Sequence, residues 1–471
     1  MTDGLERMSA VDTAWWHMER DNNAMMITCV LVLDRQVDVL AFRELLERRL
    51  LRYNRFSQRV VEQDGKAYWV DDPHFHLDNH LHHIALPKPG NQQALQELVA
   101  DLASTPLDFR HPLWQVHLVD GYQDGAAIVT RLHHCIADGL ALVQVLMSLA
   151  DEGWRPQKKQ SQKPHSEQGL LESLTHSIRE LAEQGAHLGH ELVEEGMELA
   201  RHPEQISQWL DEGRNIAEEL VHLGMMPRDP HTRLHAELSG RKRVAWAEPL
   251  ALASVKALAH QLEGTVNDVL VASVAGALRR YLSEADRYIK GDIHVTIPFN
   301  LRPRDKPVES LGNQFGLLLV ELPLTEPDPI KRFHRVKKAL TEVKGAAQPK
   351  VTFGLLELLG HGPVALEQFA LDTLSNKSSL VMTNVPGPKS PLTIAGARIL
   401  QPLFWVPQSG HLGVGLSILS YAETVQFGLI ADANMVHAPN RVVRYFEDSF
   451  QELYEQAFGD TGGSLDHHAQ P

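Results

Sequence analysis

Cysteine is almost absent: Cys29 and Cys135 are the only two in 471 residues. Two thiols make neither a disulfide framework nor a cysteine metal set, which fits a reducing compartment. Basic residues are in deficit, 45 against 60 acidic ones, for a formal net charge of −15. A chain that grips nucleic acid through phosphate contacts needs the opposite balance, so no nucleic-acid partner is expected. No apolar run approaches the ~18 residues of a spanning helix. The N-terminal stretch "MTDGLERMSAVDTAWWHMERDNN" carries acids where a secretory leader has an apolar core. These absences predict a cytoplasmic protein, with membrane contact restricted to the periphery; a local patch can act against the global charge.

What remains is the composition of a folded chain, 43% hydrophobic and 22% charged. The length predicts about two to four domains. Residues 9–20 read as a helix capped by Ser9, with Asp12 near its positive dipole end. "MMITCVLVLD" (25–34) reads as a strand and 37–53 as an amphipathic helix. A strand at "KAYWVDD", a helix at 92–103 and strands at "QVHLVDG" and "AAIVTRL" complete a first α/β unit, 1–154. The polar stretch "RPQKKQSQKPHSEQG" opens a linker, 155–235. Within it, 170–223 reads as a helical hairpin packed on the body, with an interfacial amphipathic helix as the alternative; its Glu-rich polar face counts against lipid. A second α/β unit spans 236–458, with a hairpin expected around Ala422 and Glu423, and a flexible tail covers 459–471.

The polar cluster "HHCIADG" (133–139) sits between an apolar strand and an apolar helix. A histidine with an ordinary pKa near ~6.5 is available at neutral pH as a base. Asp138 can orient an imidazole, as in catalytic triads, or pair with an arginine and hold the turn. Gly139 permits backbone that side chains forbid. No serine or cysteine in a nucleophile-elbow pattern accompanies the cluster, and Cys135 reads as a bystander. The four histidines of "FHLDNHLHHIAL" (75–86) lack a spaced ligand set. That segment reads as solvated or structural, and no metal is expected.

Taken in order, "MSAVDTAWWHMERDNNAMM", "FHLDNHLHHIALPKPG", "PLDFRHPLW", "HHCIADG", "VNDVLVASVAGALRRYL", "PFNLRP", "GNQFG", "TNVPGP" and "SYAETVQFGLIAD" resemble the bacterial wax ester synthase/diacylglycerol acyltransferase family over nearly the whole chain. The resemblance implies an α/β, two-domain chloramphenicol-acetyltransferase-like fold. Each half would be a mixed sheet with flanking helices, and the active-site tunnel would lie at the interface. It implies an O-acyltransferase that moves a long-chain acyl group from acyl-CoA, as co-substrate, to a fatty alcohol or to diacylglycerol. No permanently bound cofactor is implied, and contact with a membrane or lipid droplet would be peripheral. A condensation-type enzyme using carrier-bound thioesters or amine acceptors is the alternative, and a non-catalytic lipid-surface protein a third reading.

The residue roles follow from the same resemblance. His134 would be the general base, His133 would shape the site, and Asp138 would be a structural anchor paired with Arg302. Gly139, Asn267 and Asp268 would support the site, with Asn267 a candidate donor to the oxyanion. Pro112, Leu113 and Trp114 would support the fold and the acyl tunnel. Asn384, Pro386 and Gly387 would form a rigid turn on the CoA side.

Overall fold

The computed structural model describes residues 5–63, 66–138, 141, 145, 147–152, 226–286, 289–301, 313–344, 348–349, 351–353 and 375–459. The expected helical hairpin at 170–223, Gly139, Arg302 and nearly all of the tail lie outside the described residues.

In chain order, the first part contains β1 (Glu6–Arg7), α1 (Ala10–His17), β2 (Met26–Leu33), α2 (Val39–Leu45), β3 (Gln58–Gln63), β4 (Lys66–Asp71), β5 (Leu81–Ala85), α3 (Gln92–Ser104), β6 (Trp114–Tyr122) and β7 (Gly125–His133). The later part contains β8 (Lys242–Trp246), β9 (Leu250–Ala251), α4 (Leu252–Gln261), α5 (Val266–Asp286), β10 (Ile293–Asn300), β11 (Phe315–Leu322) and α6 (Pro329–Lys344). It ends with β12 (Leu380–Pro386), β13 (Thr393–Ile394), β14 (Ala397–Trp405), β15 (Val414–Tyr421), β16 (Thr424–Asp432) and α7 (Pro439–Phe458).

Two mixed sheets carry the fold. The first runs β13-β14-β2-β7-β6-β5, with β5 and β6 parallel. The second runs β11-β10-β12-β15-β16-β8, with β12 parallel to both β10 and β15. A small third sheet, β1-β4-β3, completes the set. β14 belongs to the first sheet although it comes from the later part of the chain: it pairs with β2 in a register that sets Phe404 opposite Cys29. The two sheets therefore do not divide the chain at one point, as a split between 1–154 and 236–458 implies. The pairing is long-range, and nothing local in "ARILQPLFW" announces it.

Side-chain alternation explains the apolar strands. Ile27, Leu31, Ile128 and Leu132 face one core, while Val30, Val32, Ala127 and Val129 face another. Both faces of β2 and β7 are covered, so each reads as a near-continuous apolar run. β12 divides two cores in the same way. Val381 packs with the first-sheet core, and Leu380 and Met382 pack under α5. One face of the second sheet thus meets the first half of the molecule.

Local signals set the helix ends. Ser9 Oγ accepts from Asp12 N at 3.1 Å and caps α1. Thr265 and Asp268 cap α5 reciprocally, at 2.8 and 3.2 Å. The helix expected over 37–53 is not uniform: α2 passes into a π turn, Leu46–Leu50, closed by Leu51 N donating to Leu46 O. Leu46 and Leu50, at the two ends of this turn, are both buried. The hairpin forms where expected. Ala422 and Glu423 occupy its two turn positions with φ of 45° and 63°, between the paired Tyr421 and Thr424.

Candidate active site

β7 ends at His133, and the chain turns through His134 to Asp138 where the two halves meet. Both histidines are buried, at 2% and 3% exposure. Their backbones are pinned in different directions. His133 N donates to Leu113 O at 2.9 Å, and His134 N donates to Met25 O at 2.7 Å. The "PLW" segment thereby holds the strand end. Trp114 Nε1 donates to Phe56 O at 2.8 Å, and the buried His80 ring stacks on the Trp114 indole at 4.5 Å. His80 is thus packed in the core, whereas His76 and His83 are exposed, with His83 2.7 Å from Asp120.

The His134 ring lies against Trp15 of α1, stacked at 4.0 Å, and meets Phe315 of β11 edge-on at 5.6 Å. Burial first, and the neighbouring His133 second, push its pKa down to about 3, against the pull of its own backbone carbonyl and of Asn313. The imidazole is therefore neutral at physiological pH. Its Nδ1 is buried with no hydrogen-bond partner among the described residues. His133 differs. Its Nδ1 accepts from Cys135 N at 3.1 Å, and its Nε2 lies 3.3 Å from Glu19 Oε2. Glu19 also accepts from Met25 N, so one carboxylate holds both His133 and the segment that holds His134.

Among the described residues, no hydrogen bond joins Asp138 to His134. Its Oδ1 accepts from Ala141 N at 2.7 Å, capping the helix after the turn, and its Oδ2 accepts from Gln314 N at 3.1 Å. It bonds to both halves, and its expected partner Arg302 lies outside the described residues. Cys135 is fully buried, and burial raises its thiol well above the ordinary value. It supplies no thiolate nucleophile.

Other expected site residues gather elsewhere. Asn384 Nδ2 donates to Asn267 Oδ1 at 2.5 Å. Asp268 is the capping acid of α5. Among the described residues, no hydrogen bond joins this group to His134. Pro386 closes β12, and Gly387 N donates to Ser420 O at 2.9 Å. A Cβ on Gly387 would come within 2.4 Å of that same carbonyl oxygen, so the close approach needs glycine.

Two polar residues at His134 carry no role in the motif reading. Asn313, the second residue of "GNQFG", donates from Nδ2 to His134 O at 2.9 Å and to Asp12 Oδ1 at 2.7 Å. Its backbone N also donates to Asp12 Oδ1, at 3.0 Å. Asp12 is therefore more than a dipole acid. Its one sequence signal is position: three residues before Trp15, it shares a helix face with the ring that stacks on His134. Burial raises the Asp12 pKa, against the hydrogen bonds of Asn313 and Ser9.

Behind the cluster, alternate residues of β7, Ile128, Thr130 and Leu132, run back into an apolar cavity of about 10 Å³. Phe42, Leu46 and Leu50 of α2 and its π turn form the opposite wall.

Residues 8–270 match the model of the wax ester synthase/diacylglycerol acyltransferase catalytic domain, and residues 311–454 match the C-terminal domain of the same family. The Mycobacterium tuberculosis protein named "Probable diacyglycerol O-acyltransferase tgs1" is 29% identical over 425 residues, covering 88% of each chain. Among solved structures, the wax ester synthase/diacylglycerol acyltransferase from Marinobacter aquaeolei VT8 superposes with a TM-score of 0.67 at 21% identity, over 96% of this chain and 100% of that one. The first condensation domain of the calcium-dependent antibiotic synthetase superposes with a TM-score of 0.61 at 14% identity, over 98% of each chain. These two likenesses show the expected two-domain fold, with mixed sheets and flanking helices. With both of its domain models matched in order along one chain, this protein belongs to the wax ester synthase/diacylglycerol acyltransferase family.

Proposed function

We propose that the protein is an O-acyltransferase that moves a long-chain acyl group from acyl-CoA to a fatty alcohol or to diacylglycerol, with His134 as general base. One observation carries the reading: the His134 imidazole is buried where the halves meet, between Trp15 of α1 and Phe315 of β11, with Asn313 of the later half bonded to its carbonyl. The base takes the proton of the acceptor hydroxyl as its oxygen attacks the thioester carbonyl. The C–S bond then breaks, CoA leaves as its thiolate, and the proton on His134 passes to that thiolate. No covalent enzyme intermediate is required, which agrees with the buried, protonated Cys135 thiol. No helix among the described residues is long and apolar enough to cross a membrane.

The test is product formation from palmitoyl-CoA with hexadecanol and, separately, with a diacylglycerol. His134→Ala should lower ester formation by about 10²–10⁴-fold, the usual worth of a general base. Ester formation near the parent rate in that variant would overturn the assignment.

A further inference from the structure

His134 is held from both halves of the molecule by matched pairs of contacts. Helix α1 supplies a carboxylate and an aromatic ring, Asp12 and Trp15, three residues apart. The segment entering β11 supplies an amide and an aromatic ring, Asn313 and Phe315, two residues apart. The rings flank the imidazole at 4.0 and 5.6 Å. The polar pair meets beside it. Asp12 Oδ1 receives both the backbone and the side-chain N–H of Asn313, and the same Asn313 Nδ2 also reaches His134 O. All three residues are buried, at 6%, 5% and 3% exposure.

We propose that Asp12 and Asn313 form a latch between the two halves that positions His134 for proton abstraction. The geometry gives the latch two separable functions. The Asp12–Asn313 bonds join α1 to the entrance of β11, across 301 residues of sequence. The Asn313–His134 bond fixes the peptide carbonyl of the base. With Met25 O holding His134 N, both peptide groups around the His134 Cα are tied, which sets the direction in which the ring leaves the strand. A base must sit within hydrogen-bond reach of the proton it takes, and a displacement of about 1 Å can cost ~10²-fold in rate. Asp12 and Asn313 touch no reacting atom in this scheme, so they are positioning residues. The proposal rests on the reading of His134 as general base.

A charge-swapped pair separates the two functions. Asn313→Ala and Asp12→Ala should each lower kcat by about 10–100-fold, with KM for palmitoyl-CoA changed by no more than about twofold. Asp12→Asn should keep activity within about threefold of the parent, because an amide oxygen still accepts both Asn313 bonds. Asn313→Asp sets two carboxylates face to face and should lower both the melting temperature and kcat. In the double variant Asp12→Asn/Asn313→Asp, the new amide donates to the new carboxylate and rejoins the halves, but no donor remains for His134 O. The melting temperature should then recover while kcat stays low. Recovery of kcat together with the melting temperature would overturn the positioning role and leave only a structural tie. An active parent with an equally active Asn313→Ala would overturn the latch outright. A parent inactive with every acceptor would remove the reading of His134 beneath it.

Discussion

The division of labour between the two adjacent histidines follows from what each ring faces. His133 Nδ1 accepts from Cys135 N, and its Nε2 faces Glu19 Oε2 at 3.3 Å without a hydrogen bond. His134 has aromatic rings on its flanks, and its Nδ1 is buried. Asp138 serves neither ring directly: its two oxygens cap the following helix and accept from Gln314 N. Removing both acceptors in Asp138→Ala should cost about 1–3 kcal/mol of stability, with activity falling in parallel. Asp138→Asn keeps one acceptor and should lie between the two. Urea unfolding alongside an ester assay checks this. A large loss of kcat in Asp138→Asn at unchanged stability would instead make Asp138 the orienter of His134.

At the level of elements, local sequence was a good guide wherever local physics decides. The capping residue Ser9 marked the start of α1, and apolar runs marked β2 and β7. The hairpin between β15 and β16 was legible at Ala422 and Glu423, although neither residue favours the left-handed backbone its turn imposes. That mismatch is testable. Ala422→Asn with Glu423→Gly fits the turn's backbone preference and should raise stability by about 1 kcal/mol, read as a higher denaturation midpoint. An unchanged or lower midpoint would mean that the present residues make contacts worth as much as the strain. The π turn after α2 was not legible, because a hydrophobic period does not distinguish a uniform helix from one with a widened turn. β14 was missed for a different reason: its partner β2 lies hundreds of residues earlier, and only the register between them defines its place.

At the scale of the whole molecule, the site is assembled by tertiary structure from pieces that are individually ambiguous. The histidine pair and Asp138 stand out in the sequence because their spacing is compact. Asp12, Trp15, Glu19, Asn313 and Phe315 become site residues only when α1 and the entrance to β11 close around the turn. Asn267 and Asn384, which the motifs bring to notice equally, instead pair with each other at the start of α5. Sequence order shows which segments matter; the meeting of the halves shows which of them touch His134. The central claim is that this meeting makes His134 a neutral base for direct transfer from thioester to alcohol. Its most direct measurement is rapid-mixing detection of free CoA thiol after palmitoyl-CoA is added, with and without hexadecanol or diacylglycerol, in the parent and in His134→Ala. Direct transfer predicts thiol release only when acceptor is present, and at least ~10²-fold slower release in the variant. A stoichiometric burst of thiol without acceptor, or undiminished acceptor-dependent release in His134→Ala, would contradict it.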